Sequence, residues 1–285
     1  MHDIDQTSLR LANDSIAAGY NDADFFCVEV RDRLFERLGL MDMRPERILD
    51  TGAATGAGTG ELRKIYPQAQ IVALDWSENM LQAAQAERIC ADAHHLPFAD
   101  NSFDMVISNM MLPGCGNPEQ IFHEAHRVLK HPGLFLFSTL GPDTLKELRK
   151  AWQVVDIAPH VHSFADMHNV GDALVQAGFR GPVMDVEQLT ITYAEPTKLI
   201  NDLRAVAATN RLQNRRRGLT SPRLWQNMLA ELELKRNDAD RLPVSIELIT
   251  GQAWAGQPAQ GVQMVEGEAR VSVSDIIRPR KNEPG

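Results

Sequence analysis

Five short apolar runs punctuate residues 45–140, at 47–50, 71–75, 89–92, 103–108 and 134–138. They hardly alternate between apolar and polar positions, which predicts strands buried on both faces of a sheet. Helical signals fill the gaps. Residues 57–66 open a helix that Pro67 ends. Residues 77–87 have Ser77 as N-cap and Glu78 in the first turn. Residues 117–130 have Pro118 near the start and Pro132-Gly133 past the end. Strands alternating with helices predict parallel β-α-β units, and hence a doubly wound α/β sheet.

The flanks follow other periods. Val28, Val30, Leu34, Phe35 and Leu38 recur at helical spacing among charged residues, and Gly39 marks a stop. Residues 1–44 therefore read as a helical lead-in or lid to a core at 45–140. Beyond the core, 143–153, 163–177 and 197–234 are expected to be helical, the last with a basic middle. Residues 182–193 alternate in polarity like an antiparallel or edge strand, and 244–254 form another strand. Residues 141–254 thus hold the substrate-side helices, the last strands and a helical insertion. Residues 255–285 form a tail, with disorder expected at 277–285.

Composition narrows the class. Hydrophobic residues make up 44% and charged residues 24%, an ordinary globular balance. The net charge of −9 argues against a nucleic-acid-binding surface. No apolar run reaches the ~20 residues that cross a bilayer. The acidic, polar start is unlike a secretory signal, so a cytoplasmic location is expected. Cys27, Cys90 and Cys115 form neither a disulfide framework nor a C-x-x-C pair, and no metal site is expected.

The chemistry gathers at the ends of the core strands. Asp50-Thr-Gly52-Ala53-Ala54-Thr-Gly56 follows a strand and precedes a helix. Glycines there allow a tight turn and close approach of a ligand, in the place where open α/β sheets bind one. Asp75 ends the next strand about 20 residues on, where a carboxylate can accept from ribose hydroxyls. Asp92 ends the third, ahead of Ala93 and Leu96-Pro-Phe98, and can accept from an adenine amino group. Asn109 follows the fourth strand and points a polar group at the same rim, where a turn role is an equal alternative.

These residues, with the helix ending Val128-Leu-Lys-His-Pro-Gly133, resemble the class I S-adenosylmethionine-dependent methyltransferases. The resemblance implies a Rossmann-like, mostly parallel seven-stranded sheet with an antiparallel edge strand and a helical insertion. It implies S-adenosylmethionine as cofactor, S-adenosylhomocysteine as product, and a site of Asp50, Gly52, Ala53, Gly56, Asp75, Trp76, Met80, Asp92, Ala93 and Asn109. Ala54 stands where the family usually has its central glycine.

A finer resemblance covers most of the chain. Ile16-Ala-Ala-Gly-Tyr20, Val30-Arg-Asp-Arg-Leu-Phe-Glu-Arg-Leu38, Cys115-Gly-Asn117 and Phe137-Ser-Thr-Leu140 resemble the malonyl-[acyl-carrier-protein] O-methyltransferases of biotin synthesis. That implies methyl transfer to the free carboxylate of a malonyl thioester on acyl carrier protein. Arg149 is the candidate to hold that carboxylate, with Tyr20, His160 and His162 as rim donors. The bland readings are a solvated helix charge for Arg149, a packing residue for Tyr20 and loop residues for the histidines. Arg211, Arg215, Arg216 and Arg217 form the dense basic run of an acidic chain, and by this resemblance would dock the acidic carrier. A solvated helix face is the alternative. Three rival functions stand beside this one. An NAD-dependent oxidoreductase lacks its G-x-G-x-x-G here. A methyltransferase-like assembly factor of mitochondrial complex I, or a cofactor-binding scaffold, shares much of the pattern. A small-molecule methyltransferase leaves the arginine run unexplained.

Overall fold

The computed structural model describes residues 4–256, 262–265 and 268–271. The lead-in is α1 (Gln6–Ile16), α2 (Tyr20–Ala23) and α3 (Phe25–Glu36). The core follows as β1 (Arg47–Thr51), α4 (Ala57–Ile65), β2 (Gln70–Asp75), α5 (Glu78–Leu81), β3 (Glu87–Cys90), β4 (Phe103–Ser108), α6 (Pro118–Val128) and β5 (Leu129–Leu140). Then come α7 (Lys146–Val155), α8 (Met167–Gln176), β6 (Phe179–Tyr193), α9 (Pro196–Ala205), α10 (Pro222–Glu233) and β7 (Leu242–Ala255). A separate antiparallel pair joins β8 (Val262–Val265) to β9 (Glu268–Val271). The disorder expected at 277–285 lies outside the described residues.

Seven strands make one sheet in the order β3-β2-β1-β4-β5-β7-β6. Strands β1 to β5 pair in parallel, and β7 runs antiparallel to both β5 and β6. The winding reverses between β1 and β4, so the crevice for a ligand opens at the carboxyl ends of those strands.

Successive strand residues face opposite sides, and both sides are apolar. Ile48, Met105, Ile107, Leu134 and Leu136 pack under Leu34 and Phe35 of α3 and Leu62 of α4. Leu49, Val106, Phe135 and Phe137 face Ile121 and Phe122 of α6 and Val170 and Leu174 of α8. A third cluster joins Leu148 and Trp152 of α7, Leu199 of α9, and Met228 and Leu232 of α10 to Tyr193 and Val244. Among the described residues no helix is long and apolar enough to cross a membrane.

Two expected helices are corrected. The one at 77–87 ends at Leu81. Arg88 Nη1 donates to the carbonyls of Leu81 and Gln82, both at 3.0 Å, and so replaces the N–H groups of a continuing turn. Ala84 then backs onto Gly56, where an added Cβ would lie 2.6 Å from Ala84 Cβ. The helix at 197–234 is two helices, with 206–221 between them. The Arg211 carbonyl accepts from Asp5 N (2.8 Å) and the Arg211 N–H donates to His162 Nε2 (3.1 Å). Both groups are thus taken from an i−4 ladder, and Pro222 holds Ser221 extended before α10. In the other direction, β5 starts five residues before the expected 134, at Leu129, with a register shift against β4.

Candidate active site

The loop after β1 is built on left-handed backbone. Gly52 has φ +72° and Gly56 φ +78°, as glycines readily do. Ala54, at φ +47°, does so against its Cβ. Ala54→Gly should therefore raise stability by about 1 kcal/mol, read by thermal unfolding. An unchanged midpoint would mean that the loop relaxes elsewhere. Asp50 lies beneath the loop, where its Oδ2 accepts from Thr59 Oγ1 at 2.6 Å. Burial outweighs that bond and lifts its carboxyl to about 6. Asp50, Ala53 and Gly56 shape the loop from behind, whereas Gly52 and Ala54 line the cavity in front of it.

Asp75 faces that cavity from the end of β2. Its Oδ2 accepts from Ala54 N (3.0 Å) and its Oδ1 from Ser77 N (2.9 Å). Each oxygen keeps a lone pair for a further donor. Burial raises its pKa, against the pull of these bonds. Ser77 caps α5 by accepting from Met80 N and donates in turn to Asp14 of α1 at 2.5 Å. The lead-in thus clasps the rim. Trp76, Met80, Asp92 and Ala93 continue the same wall. Asp92 Oδ1 meets both the N–H of His94 (2.9 Å) and its Nδ1 (2.7 Å). Burial alone would raise this carboxyl, but the His94 bonds hold it below the usual range. Asn109 accepts from Ser138 Oγ (2.8 Å) and donates to the Cys27 carbonyl (3.0 Å), which ties the fourth strand to α3.

The cavity holds about 340 Å³ and has two ends. One lies over the strand ends just described. The other is apolar and sits among Leu145, Leu148, Ile191, Leu199, Leu203 and Ile246, beneath α7 and α9. Tyr20, His160 and His162 line the cavity, and so do Asp24, the N-cap of α3, and Cys27 in its first turn, which the sequence did not single out. Asp24 and Cys27 carry no motif. They reach the cavity because the lead-in folds over the sheet. Among the described residues no lysine or arginine lines the cavity, and no cluster of His, Cys, Asp and Glu could hold a metal ion.

Arg149 is not part of that lining. Its guanidinium donates to the carbonyls of Pro142 (3.0 Å), Thr144 (3.1 Å) and His162 (3.1 Å). Arg149→Ala should lower stability by about 2–3 kcal/mol, since three carbonyls lose a charged donor. Thermal unfolding checks this, and an unchanged midpoint would free Arg149 for a role at the substrate. The arginine run is likewise divided. Arg211 donates to Ser8 Oγ at 3.0 Å, and Arg215 pairs with Asp5 at 2.8 Å. Arg216 and Arg217 remain exposed on the 206–221 segment.

A family model described as a methyltransferase domain matches residues 49–137. The chain is similar to solved structures of the YcgJ protein of Bacillus subtilis and a SAM-dependent methyltransferase of Thermotoga maritima. The first has TM-score 0.58 at 15% identity, covering 79% of this chain and 98% of that one. The second has TM-score 0.52 at 14% identity, covering 87% and 99%. These likenesses concern the fold. The likeness in sequence reaches further. The chain is 42% identical to the malonyl-[acyl-carrier protein] O-methyltransferase of Gallionella capsiferriformans, over 96% of this chain and 98% of that protein. It is 38% identical to malonyl-[acyl-carrier protein] O-methyltransferase 1 of Coxiella burnetii, over 96% and 97%. Identity at that level along nearly the whole length shows that the chain belongs to the malonyl-[acyl-carrier protein] O-methyltransferase family.

Proposed function

We propose that this chain methylates the free carboxylate of a malonyl group carried on acyl carrier protein, with S-adenosylmethionine as donor, as an early step of biotin synthesis. One observation carries this reading. The likeness to the Gallionella protein spans 96% of the chain, well beyond the residues 49–137 that match the methyltransferase domain. It therefore takes in α7, α9, β6 and β7, the elements around the apolar end of the cavity.

The residues of the rim suit the cofactor. Asp75 is 8% exposed yet faces the cavity, with an unused lone pair on each oxygen and burial disfavouring its charge. Two adjacent hydroxyls, as on a ribose, are the donors that such a carboxylate lacks. Asp92 with Ala93 would take the adenine, Trp76 and Met80 its neighbourhood, and Gly52 with Asn109 the methionine side. When bound, S-adenosylmethionine supplies a methyl group on a sulfonium, whose departure needs no proton.

The chain's own task is then orientation and exclusion of water. A malonyl carboxylate is already ionised, so no general base is required. Tyr20 stands in the cavity wall with its hydroxyl donating to Cys27 Sγ at 3.7 Å, a weak acceptor that can be exchanged for a better one. Burial, with Cys27 and Asp24 nearby, pushes its ionisation far above the ordinary tyrosine value. Tyr20 thus remains a neutral donor to an incoming oxygen. The apolar end gives a thioester arm a dry path. After incubation with S-adenosylmethionine, a malonyl carrier should gain one methyl by mass spectrometry and lose it in alkali. An unaltered carrier would contradict the proposal.

The acidic carrier docks, on this reading, at the exposed arginines of the 206–221 segment and its flanks. Arg217 and Arg223 are exposed, and Arg204 is held near them by its contact over the Trp225 ring. Reversing Arg217 and Arg223 to glutamate should raise KM for the malonyl carrier about tenfold at low salt, with the gap closing as salt rises. A KM unmoved by the double reversal would place the carrier elsewhere.

A further inference from the structure

The cavity must receive a carboxylate, yet no lysine or arginine of the described residues lines it. Three histidines do. His94 sits at the rim, with Nδ1 2.7 Å from Asp92 Oδ1. His162 accepts from the Arg211 N–H through Nε2. His160 is held differently. Its ring stacks on Trp152 at 3.7 Å between centroids and 4° between planes. Its Nε2 lies 2.9 Å from Asp156 Oδ2. No partner for its Nδ1 occurs among the described residues, and the side chain lines the cavity.

Asp156 is built for that grip. It is the C-cap residue of α7, and its Oδ1 accepts from Ala158 N at 3.2 Å, which shapes the turn leading to His160. Arg216 Nη1 reaches the same Oδ2 at 3.4 Å from the surface side. The His160 bond, then Ala158, hold the Asp156 carboxyl below the usual range. A carboxylate at the carboxyl end of a helix faces the negative end of the helix dipole, so helix stability alone would disfavour aspartate here. A local rule broken in this way, beside a cavity, marks a functional position.

We propose that His160 seats the terminal carboxylate of the acceptor through Nδ1, and that Asp156 is the positioning residue that fixes the ring for it. This inference rests on the malonyl reading above. With the acceptor in place, the ring lies between two carboxylates and, as the imidazolium, donates to both. The Trp152 face removes the ring's freedom to swing away. An acetyl thioester, lacking the second carboxylate, finds nothing to bind at this point, so the pair also selects the acceptor.

The test is steady-state methyl transfer to a malonyl carrier by the wild type, His160→Gln, Asp156→Asn and the double variant, with S-adenosylmethionine affinity measured by calorimetry to report an intact fold. His160→Gln should raise KM for the carrier about tenfold or more, with kcat changed far less. Asp156→Asn should raise KM by a smaller factor, and should add nothing once His160 is Gln, because it acts through that ring. A KM unchanged in His160→Gln overturns the seat. Additive effects of the two changes overturn the positioning role of Asp156. A wild-type chain that binds the cofactor and leaves the malonyl carrier unmethylated overturns the malonyl reading, and this inference with it. Should Asp156→Asn fail to bind cofactor, Asp156→Glu replaces it, with the same non-additivity expected.

Discussion

Asp75→Ala is expected to weaken S-adenosylmethionine binding about a hundredfold or more, measured by calorimetry. The side chain does three things at once. It receives Ala54 N and so holds the glycine loop against β2, it receives Ser77 N and so starts α5, and it offers the cavity its remaining lone pairs. Alanine leaves two buried N–H groups without an acceptor, at about 1–3 kcal/mol each, and removes the acceptor for the ribose. Asp75→Asn keeps one acceptor oxygen, so about a tenfold loss is expected. An alanine variant that binds normally would mean that the cofactor lies elsewhere in the cavity.

Gly52→Ala is expected to carry a large cost for the single atom added. At φ +72°, an L side chain is strained by about 1–2 kcal/mol. The new Cβ would also fall 2.5 Å from Met111 Cβ and 2.9 Å from its Sδ. Together these should lower the unfolding midpoint by roughly 5–10 °C. Cofactor affinity should fall as well, since Gly52 lines the cavity. Adding Met111→Gly removes the clash, Cβ included, and leaves the backbone strain, so the double variant should recover part of the midpoint. A double variant no better than Gly52→Ala would assign the whole loss to backbone conformation.

The difference between what the sequence discloses and what it hides follows from the range of the forces involved. Four of the five core strands are legible because their residues are largely buried on both faces, which leaves an apolar run in the chain, whereas β3, expected at 89–92, runs over Glu87–Cys90 as a mostly exposed edge strand. Residues 103–108 match the observed β4 at both ends. Asp50, Asp75 and Asp92 are legible because the winding of the sheet brings strand ends to one rim. The different place of Asp50 is not. The sequence sets all three at the ligand, but Asp50 bonds Thr59 under the loop while Asp75 and Asp92 face the cavity.

Long-range partners are where the reading from sequence stops. Nothing local says that Arg88 will close the carbonyls of α5, or that Asp5 and His162 will take the backbone of Arg211. Helical spacing over 197–234 therefore suggests one helix where the chain makes two. The same holds for charge. Arg149 and the arginine run look alike as exposed cations, but Arg149 braces three carbonyls and Arg215 answers Asp5, which leaves Arg216 and Arg217 exposed. The pairing of His160 with Asp156 lies past the end of α7, where no helical period announces it. Its meaning comes from the Trp152 stack and the cavity.

The central claim is that the acceptor is a carboxylate on a carrier. The most direct measurement supplies the chain with S-adenosylmethionine labelled in the methyl group and offers malonyl- and acetyl-acyl carrier protein side by side. Label on the malonyl carrier alone, released by alkali as expected of an ester, is the predicted result. Label on both carriers, or on neither while the cofactor still binds, would contradict it.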